Sequence, residues 1–169
     1  MSKRYNSADF LSILKKYGIT KLYHFTDRDN LDSIIANGGL YSWADCEDLS
    51  IVIPKPGGST SSRSLDLRDG LQHYVRLSFT PKHPMMFAAM NDGRISNPII
   101  LEINLDVIVD DTTKFSDRNA TKNGANVGDD IEAFKRIHFN SFKADTHFDL
   151  PPEEQMYFQA EILVFFSKL

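Results

Sequence analysis

The stretch Leu22-Tyr23-His24-Phe25-Thr26-Asp27-Arg28-Asp29-Asn30-Leu31 changes character halfway along. Its first half sets apolar and aromatic residues around one histidine, so residues 21–25 read as a short strand. Its second half supplies capping residues, so Thr26 or Asp27 opens a helix whose buried face is Leu31, Ile34 and Ile35. Asn37-Gly38-Gly39 then stops that helix, because glycine tolerates positive φ.

Upstream, residues 7–17 form an amphipathic helix: Ser7 is placed to cap it, Phe10, Leu11 and Leu14 share a side, and Gly18 ends it. Downstream, Pro54, Pro56, Gly57, Gly58 and the Ser/Thr cluster at 59–62 make residues 42–70 a long, mostly irregular surface segment. Such loops are uncommon in compact domains and tend to serve function or to be disordered. Residues 74–79 alternate as a strand. Pro84 begins a short helix through Met85, Met86, Phe87 and Ala89. Residues 97–109 carry a strong strand signal, 110–130 are polar and loop-like, 131–139 are helical, and 153–166 supply a final strand.

Short strands thus alternate with short helices at irregular spacing, without repeat or linker. No glycine-rich dinucleotide turn follows a strand and no GxxxxGK[ST] loop occurs. Doubly wound and P-loop architectures are thereby disfavoured, and one α+β domain of split antiparallel sheets over residues 1–169 fits better.

Composition narrows the function classes. The 169 residues are 41% hydrophobic and 25% charged, and 19 basic against 23 acidic residues give a net charge of -4. A protein that coats duplex DNA usually has a basic excess, so nucleic-acid contact here is expected to be local. Cys46 is the one cysteine, which excludes an internal disulfide and a thiolate metal cluster and favours a reducing cytoplasm. No signal peptide and no membrane-spanning stretch is expected.

Four places could carry chemistry. His24, between two aromatics, reads on its own as a half-buried histidine bonded to a backbone group; the functional alternative is a contact to a sugar hydroxyl. Glu161, flanked by Ala160 and Ile162, reads either as an outward position on an edge strand or as a carboxylate entering a cleft. In a cleft it can bond a ribose hydroxyl and stabilise an oxocarbenium-like sugar. Arg63 and Arg68, in the 42–70 segment, are solvated or else clamp a pyrophosphate. Phe115-Ser116-Asp117-Arg118-Asn119-Ala120 is a turn or helix boundary, or a polar knot that reads a substrate. His138 and His147 are too far apart for an HExxH-type pair, so no metal is expected.

In order along the chain, several motifs resemble the DarT family: the run from Leu22 to Leu31, Ile53-Pro54-Lys55-Pro56-Gly57-Gly58, Ser62-Arg63-Ser64-Leu65-Asp66, Gly70-Leu71-Gln72-His73-Tyr74-Val75-Arg76-Leu77-Ser78-Phe79, His83-Pro84-Met85-Met86, Ser116-Asp117-Arg118-Asn119 and Gln159-Ala160-Glu161. The resemblance implies an ADP-ribosyltransferase fold, two small antiparallel sheets forming an NAD cleft with flanking helices. It implies transfer of ADP-ribose from NAD, as co-substrate and without a metal, to a nucleobase in single-stranded DNA. It also implies a macrodomain-type antitoxin as partner of a toxin. Carried over, Glu161, Arg63 and His24 are catalytic, with Arg68 in reserve for the arginine. His24, Thr26, Asn30, Leu31, Arg63, Ser78 and Phe87 meet NAD, Phe87 or Tyr74 supplying a ring for nicotinamide. Tyr74, Phe115, Asp117, Arg118, Asn119 and Lys122 meet the substrate, with Arg136 nearby. Serine at position 78 departs from relatives with tyrosine there. Guanine and thymine are both represented in the family, and the Val75–Phe79 form tilts slightly toward guanine. The alternatives are the same fold acting on RNA, on protein or on water, and a non-catalytic nucleic-acid-binding module.

Overall fold

In the computed structural model, which describes residues 2–165, the elements in chain order are α1 (Ser7–Lys16), β1 (Leu22–Asp27), α2 (Leu31–Ala36), α3 (Trp43–Asp48), α4 (Thr60–Asp69), β2 (Tyr74–Ser78), α5 (Pro84–Asn91), β3 (Pro98–Ile103), β4 (Lys114–Ser116), β5 (Val127–Gly128), α6 (Ile131–Lys135) and β6 (Glu161–Phe165). Single-turn 3-10 segments join several of them. The strands form one antiparallel sheet in the order β3-β1-β2-β6-β4-β5.

The expectation of two small sheets is corrected to this single sheet, and the register shows why the two pictures lie close. β1 pairs with β3 along six positions and β2 with β6 along five, but β1 meets β2 only at Tyr23–Ser78 among the described residues. Beyond that pair the two strands diverge. A sheet that splays at its middle leaves backbone groups to be satisfied by side chains or ligand, and it opens a cleft.

Period-2 alternation decides what fills each side. Val75 and Leu77 of β2 and Ile162 and Val164 of β6 are buried in one cluster with Phe10, Leu14, Phe115 and Phe134. Phe10, Phe115 and Phe134 are fully enclosed, with ring centroids 4.8–5.6 Å apart. Each such ring contributes roughly 1.5–3 kcal/mol by burial.

The helices depart from the sequence reading in three places. Residues 42–70 are not mostly irregular: they hold α3 and α4. Ser42 and Ser59 cap these helices, accepting the N–H of Asp45 and Ser62, and Gly70 closes α4 at φ 70°. The polar composition of α4 conceals it, since its stability comes from caps and packing rather than an apolar stripe. Ser7 does not cap α1; its hydroxyl bonds the Arg4 carbonyl and Asn6 takes the cap position. Ile35 is exposed and no α2 residue is fully buried. The final strand is shorter than residues 153–166, starting at Glu161 after a 3-10 turn; Phe166 lies outside the described residues. The segment 110–130 likewise contains β4 and β5.

Asp27 locks the end of β1. Its enclosed carboxylate accepts the N–H groups of Asp29 (3.0 Å), Ser96 (2.8 Å) and Asn97 (3.0 Å). The N–H groups of Asp29, then Asn97, hold its pKa at about 2 against an ordinary 3.8. A carboxyl depressed in the folded state stabilises fully above its unfolded pKa, and that contribution is lost as pH falls through the folded value. Asp27→Asn is therefore expected to lower the melting temperature at neutral pH, with the gap to wild type closing as pH falls from 4 toward 2. Thermal melts across that range decide the matter, and a constant gap would mean that ionisation of Asp27 plays no part.

Candidate active site

The splay between β1 and β2 opens a cavity of about 350 Å³, within the size range of small-ligand sites. β1, β2 and the start of β6 form its floor, and α3, α4 and the loop at residues 53–59 its wall. His24, Arg63, Ser78 and Glu161 all line it, although the chain separates the first from the last by most of its length.

The register accounts for this convergence. Glu161 lies directly opposite Ser78 on β2 and opposite Ser116 on β4. Tyr74, Arg76 and Ser78 share one face of β2 because side chains alternate, so a long side chain at 76 reaches Glu161 diagonally. Arg76 Nη1 donates to Glu161 Oε2 at 2.6 Å, and Nη2 donates to Asp66 of α4. Asp66 accepts the Trp43 indole N–H at 2.9 Å from α3, and the Ala120 N–H donates to Glu161 Oε2 at 2.8 Å. Both bonds to Glu161 fall on Oε2, which leaves Oε1 for a ligand. Burial pushes the Glu161 carboxyl above the ordinary range, against the pull of Arg76 and of the Ala120 N–H.

His24 occupies the splay itself. Its Nδ1 lies 2.9 Å from the Arg76 carbonyl, so Nδ1 carries the proton and Nε2 is an acceptor. Burial lowers its pKa, with the Arg76 carbonyl acting the other way, so the ring is neutral at neutral pH. Arg63 projects from α4 over the Trp43 ring at 5.1 Å and pairs with Glu47 at 3.1 Å. Arg68, the reserve choice, pairs with its neighbour Asp69 outside the cleft. Ser78 Oγ bonds the Thr80 carbonyl at 2.8 Å. Thr26 and Asn30 reach the lining, but the Asn30 amide is engaged at both ends, donating to Thr26 Oγ1 and the Lys55 carbonyl and accepting the Lys55 N–H. Asn30 thus shapes the wall.

Other sequence expectations are corrected. Leu31 does not line the cleft. Phe87 is 47% exposed while Met85, two residues earlier on α5, lines the cleft; two positions along a helix point to nearly opposite sides. Of the two rings expected for nicotinamide, only Tyr74 lies at the cavity. Phe115 packs in the core and cannot stack on a base. Asp117 is buried and accepts the backbone N–H and side-chain amide of Asn126, so it folds the 117–126 loop rather than facing ligand. Arg118 is held by Asp117 and lies 5.3 Å over the Tyr157 ring, whose plane stacks on His138 at 3.6 Å. Asn119 reaches the cleft, and Lys122 is exposed.

Asp66 and Arg76 fall inside the family-like motifs, but neither they nor Trp43 and Arg94 carry a site role in the sequence reading, yet all four line the cavity. A signal exists for Arg76, which sits two residues from Ser78 and therefore on its face. Among the described residues, Asp45, Asp48 and His73 bring ligand atoms within 4.8 Å of one another, but the Asp45 carboxylate there is already bonded by Ser42 and His73.

Comparison with known proteins bears on the whole arrangement. No curated protein matches the chain. The solved structure of Thermus sp. 2.9 DarT in complex with ADP-ribosylated ssDNA is similar at 21% identity and TM-score 0.70, covering 88% of this chain and 76% of that one. Its NAD+ complex is similar at 21% identity and TM-score 0.62, with coverage of 87% and 75%. Thermosipho africanus DarTG in complex with ADP-ribose is similar at 22% identity and TM-score 0.69; there the match covers 86% of this chain and 40% of the other. These likenesses establish the fold, which is the one the sequence motifs imply. A family model described as "ssDNA thymidine ADP-ribosyltransferase, DarT" matches residues 23–167, and its description names thymidine rather than the guanine toward which residues 75–79 tilt. With that match running from the histidine strand through the glutamate strand, the chain belongs to the DarT family.

Proposed function

We propose that this chain is an NAD-dependent ADP-ribosyltransferase that modifies thymine in single-stranded DNA, as the toxin of a pair whose antitoxin carries a macrodomain. The observation that carries this reading is the half-engaged Glu161: one carboxylate oxygen fixed by Arg76 and Ala120, the other open to the cleft. A buried anion held this way is preorganised to face positive charge.

When bound, NAD supplies the ADP-ribosyl group, with neutral nicotinamide as the leaving group. The donor set fits it. His24 Nε2 would accept a hydrogen bond from a ribose hydroxyl, Arg63 would offer a planar fork to phosphate oxygens, and Tyr74 would offer a ring face. Glu161 Oε1 would place negative charge where the sugar becomes positive, and it would take the proton of the base nitrogen as that nitrogen bonds the ribose carbon released by nicotinamide. Asn119, next to Glu161's partner Ala120, lines the cleft and offers its side-chain amide N–H groups to the base, its Oδ1 already accepting from Thr121, while Arg118 and Lys122 of the same loop lie outside the cleft lining. With Phe115 in the core, the rings near Arg118 are Tyr157 and His138. The cytoplasm is the proposed compartment, supported by the lone cysteine; no helix among the described residues is long and apolar enough to cross a membrane.

The test is incubation with NAD and single-stranded oligonucleotides that contain or lack thymine, read by mass. An ADP-ribose adduct confined to thymine-containing strands is expected. Adducts on guanine-only strands, on RNA or on protein would reassign the acceptor, and free ADP-ribose alone would make the chain a glycohydrolase.

A further inference from the structure

We propose that Arg76 is a positioning residue for the reaction, one guanidinium that holds Glu161 as an anion aimed into the cleft while its own backbone carbonyl fixes the tautomer of His24. The proposal rests on the transferase reading above, and its test is chosen to stand apart from it.

The geometry makes Arg76 the hub of the site. Its side chain joins Glu161 on β6 to Asp66 on α4, and its carbonyl accepts His24 from β1 at 2.9 Å. That carbonyl lies where β1 and β2 have diverged past Tyr23–Ser78, so no β1 ladder bond competes for it. The two carboxylates are 7% exposed and the guanidinium 23%. Anions that deep need pairing, because water no longer stabilises them. Two carboxylates sharing one cation leave a net negative charge, so the neighbours of Glu161 work in opposite directions.

The groups facing Glu161 are few. Arg76 from β2 favours its anion, as does the Ala120 N–H from the loop after β4, whereas Asp66 from α4 opposes it. Ser116 on β4 lies opposite and does not titrate. Burial acts against the anion more strongly than any one of these. Removing Arg76 leaves burial and Asp66 in control, so Glu161 takes up a proton at higher pH. Removing the charge of Asp66 acts the other way. A residue that merely props β2 against α4 would not give opposite signs for the two changes. Lysine at 76 keeps the charge but loses the planar fork that serves two carboxylates at once.

The decisive experiment follows the Glu161 carboxyl directly by carbon-13 NMR titration of the full chain, its resonance assigned by loss in Glu161→Gln. Arg76→Met is expected to raise the Glu161 midpoint by about one pH unit or more; Asp66→Asn is expected to lower it, and Arg76→Lys to fall between Arg76→Met and wild type. The acid limb of the transfer rate against pH should move with these midpoints, so that the loss in Arg76→Met approaches about tenfold on that limb for a midpoint shift of about one pH unit and disappears at alkaline pH. If Arg76→Met does not fold, Arg76→Lys and Asp66→Asn still give shifts of opposite sign. An unmoved Glu161 midpoint, shifts of one sign, or a rate loss equal at every pH would overturn the proposal. If wild type transfers nothing to DNA while the midpoints separate as stated, the charge pairing stands and the transferase reading fails.

Discussion

Glu161→Gln is expected to lower ADP-ribosyl transfer by on the order of a hundredfold or more while leaving the fold intact. The amide is nearly the same shape as the carboxylate, and its oxygen can still accept from Arg76 and the Ala120 N–H at the Oε2 position. Packing around the β6 start, between Ser78 and Ser116, is therefore preserved. What is lost is charge. Arg76 then has only Asp66 as an anionic partner, and no anion faces the sugar as it becomes cationic. Losing the charge while keeping the shape removes an interaction that matters most in the transition state, so turnover should fall far more than NAD affinity. Single-turnover transfer assays with calorimetry of NAD binding separate the two. Near-wild-type transfer by this variant would reject Glu161 as catalytic.

Single-stranded DNA is expected to be labelled at least about a hundredfold faster than the same sequence as a duplex. An enzyme acting on a ring nitrogen must have the base out of the stack, and in a duplex that costs a few kcal/mol, which a single strand avoids. A broad basic face could recover some of the cost through phosphate contacts, but this chain carries a net charge of -4. One cation beside the loop at 117–126 is also neutralised: Arg118 is paired with the buried Asp117. The contact surface is thus a narrow edge. Parallel time courses on one oligonucleotide, alone and annealed to its complement, give the ratio. Equal labelling of the two forms would remove the argument that the base must be extruded.

The residue types of the site are legible in the sequence. A histidine between aromatics and an isolated glutamate in an apolar run each invite a second reading, an arginine in a Ser/Thr-rich segment is ordinary, and it is the ordered motifs that tie all three to one family. The strands that carry them are legible too, because alternation needs few residues to show. Helices α3 and α4 are not, since Ser, Thr, Asp and glycine near them read as loop; their caps act through single hydrogen bonds that composition does not reveal. Phe115 misleads for a related reason. A lone aromatic beside polar residues looks like a surface stacker, and only the packing of Phe10 and Phe134 on it shows a core position.

Residue types and motif order alone set the chemistry available to this protein: an α+β chain of the DarT family with His24, Arg63 and Glu161 at motif positions. Tertiary structure decided how that chemistry is charged and aimed. The cation that faces Glu161 is Arg76, 85 residues away, and the group that orients His24 is the same residue's carbonyl. Alternation tells which residues share a face of a strand, but not which strand lies beside it or in what register. The pairing of β2 with β6, and the splay of β2 from β1, are set by long-range burial and hydrogen bonding, and those two facts make the cleft.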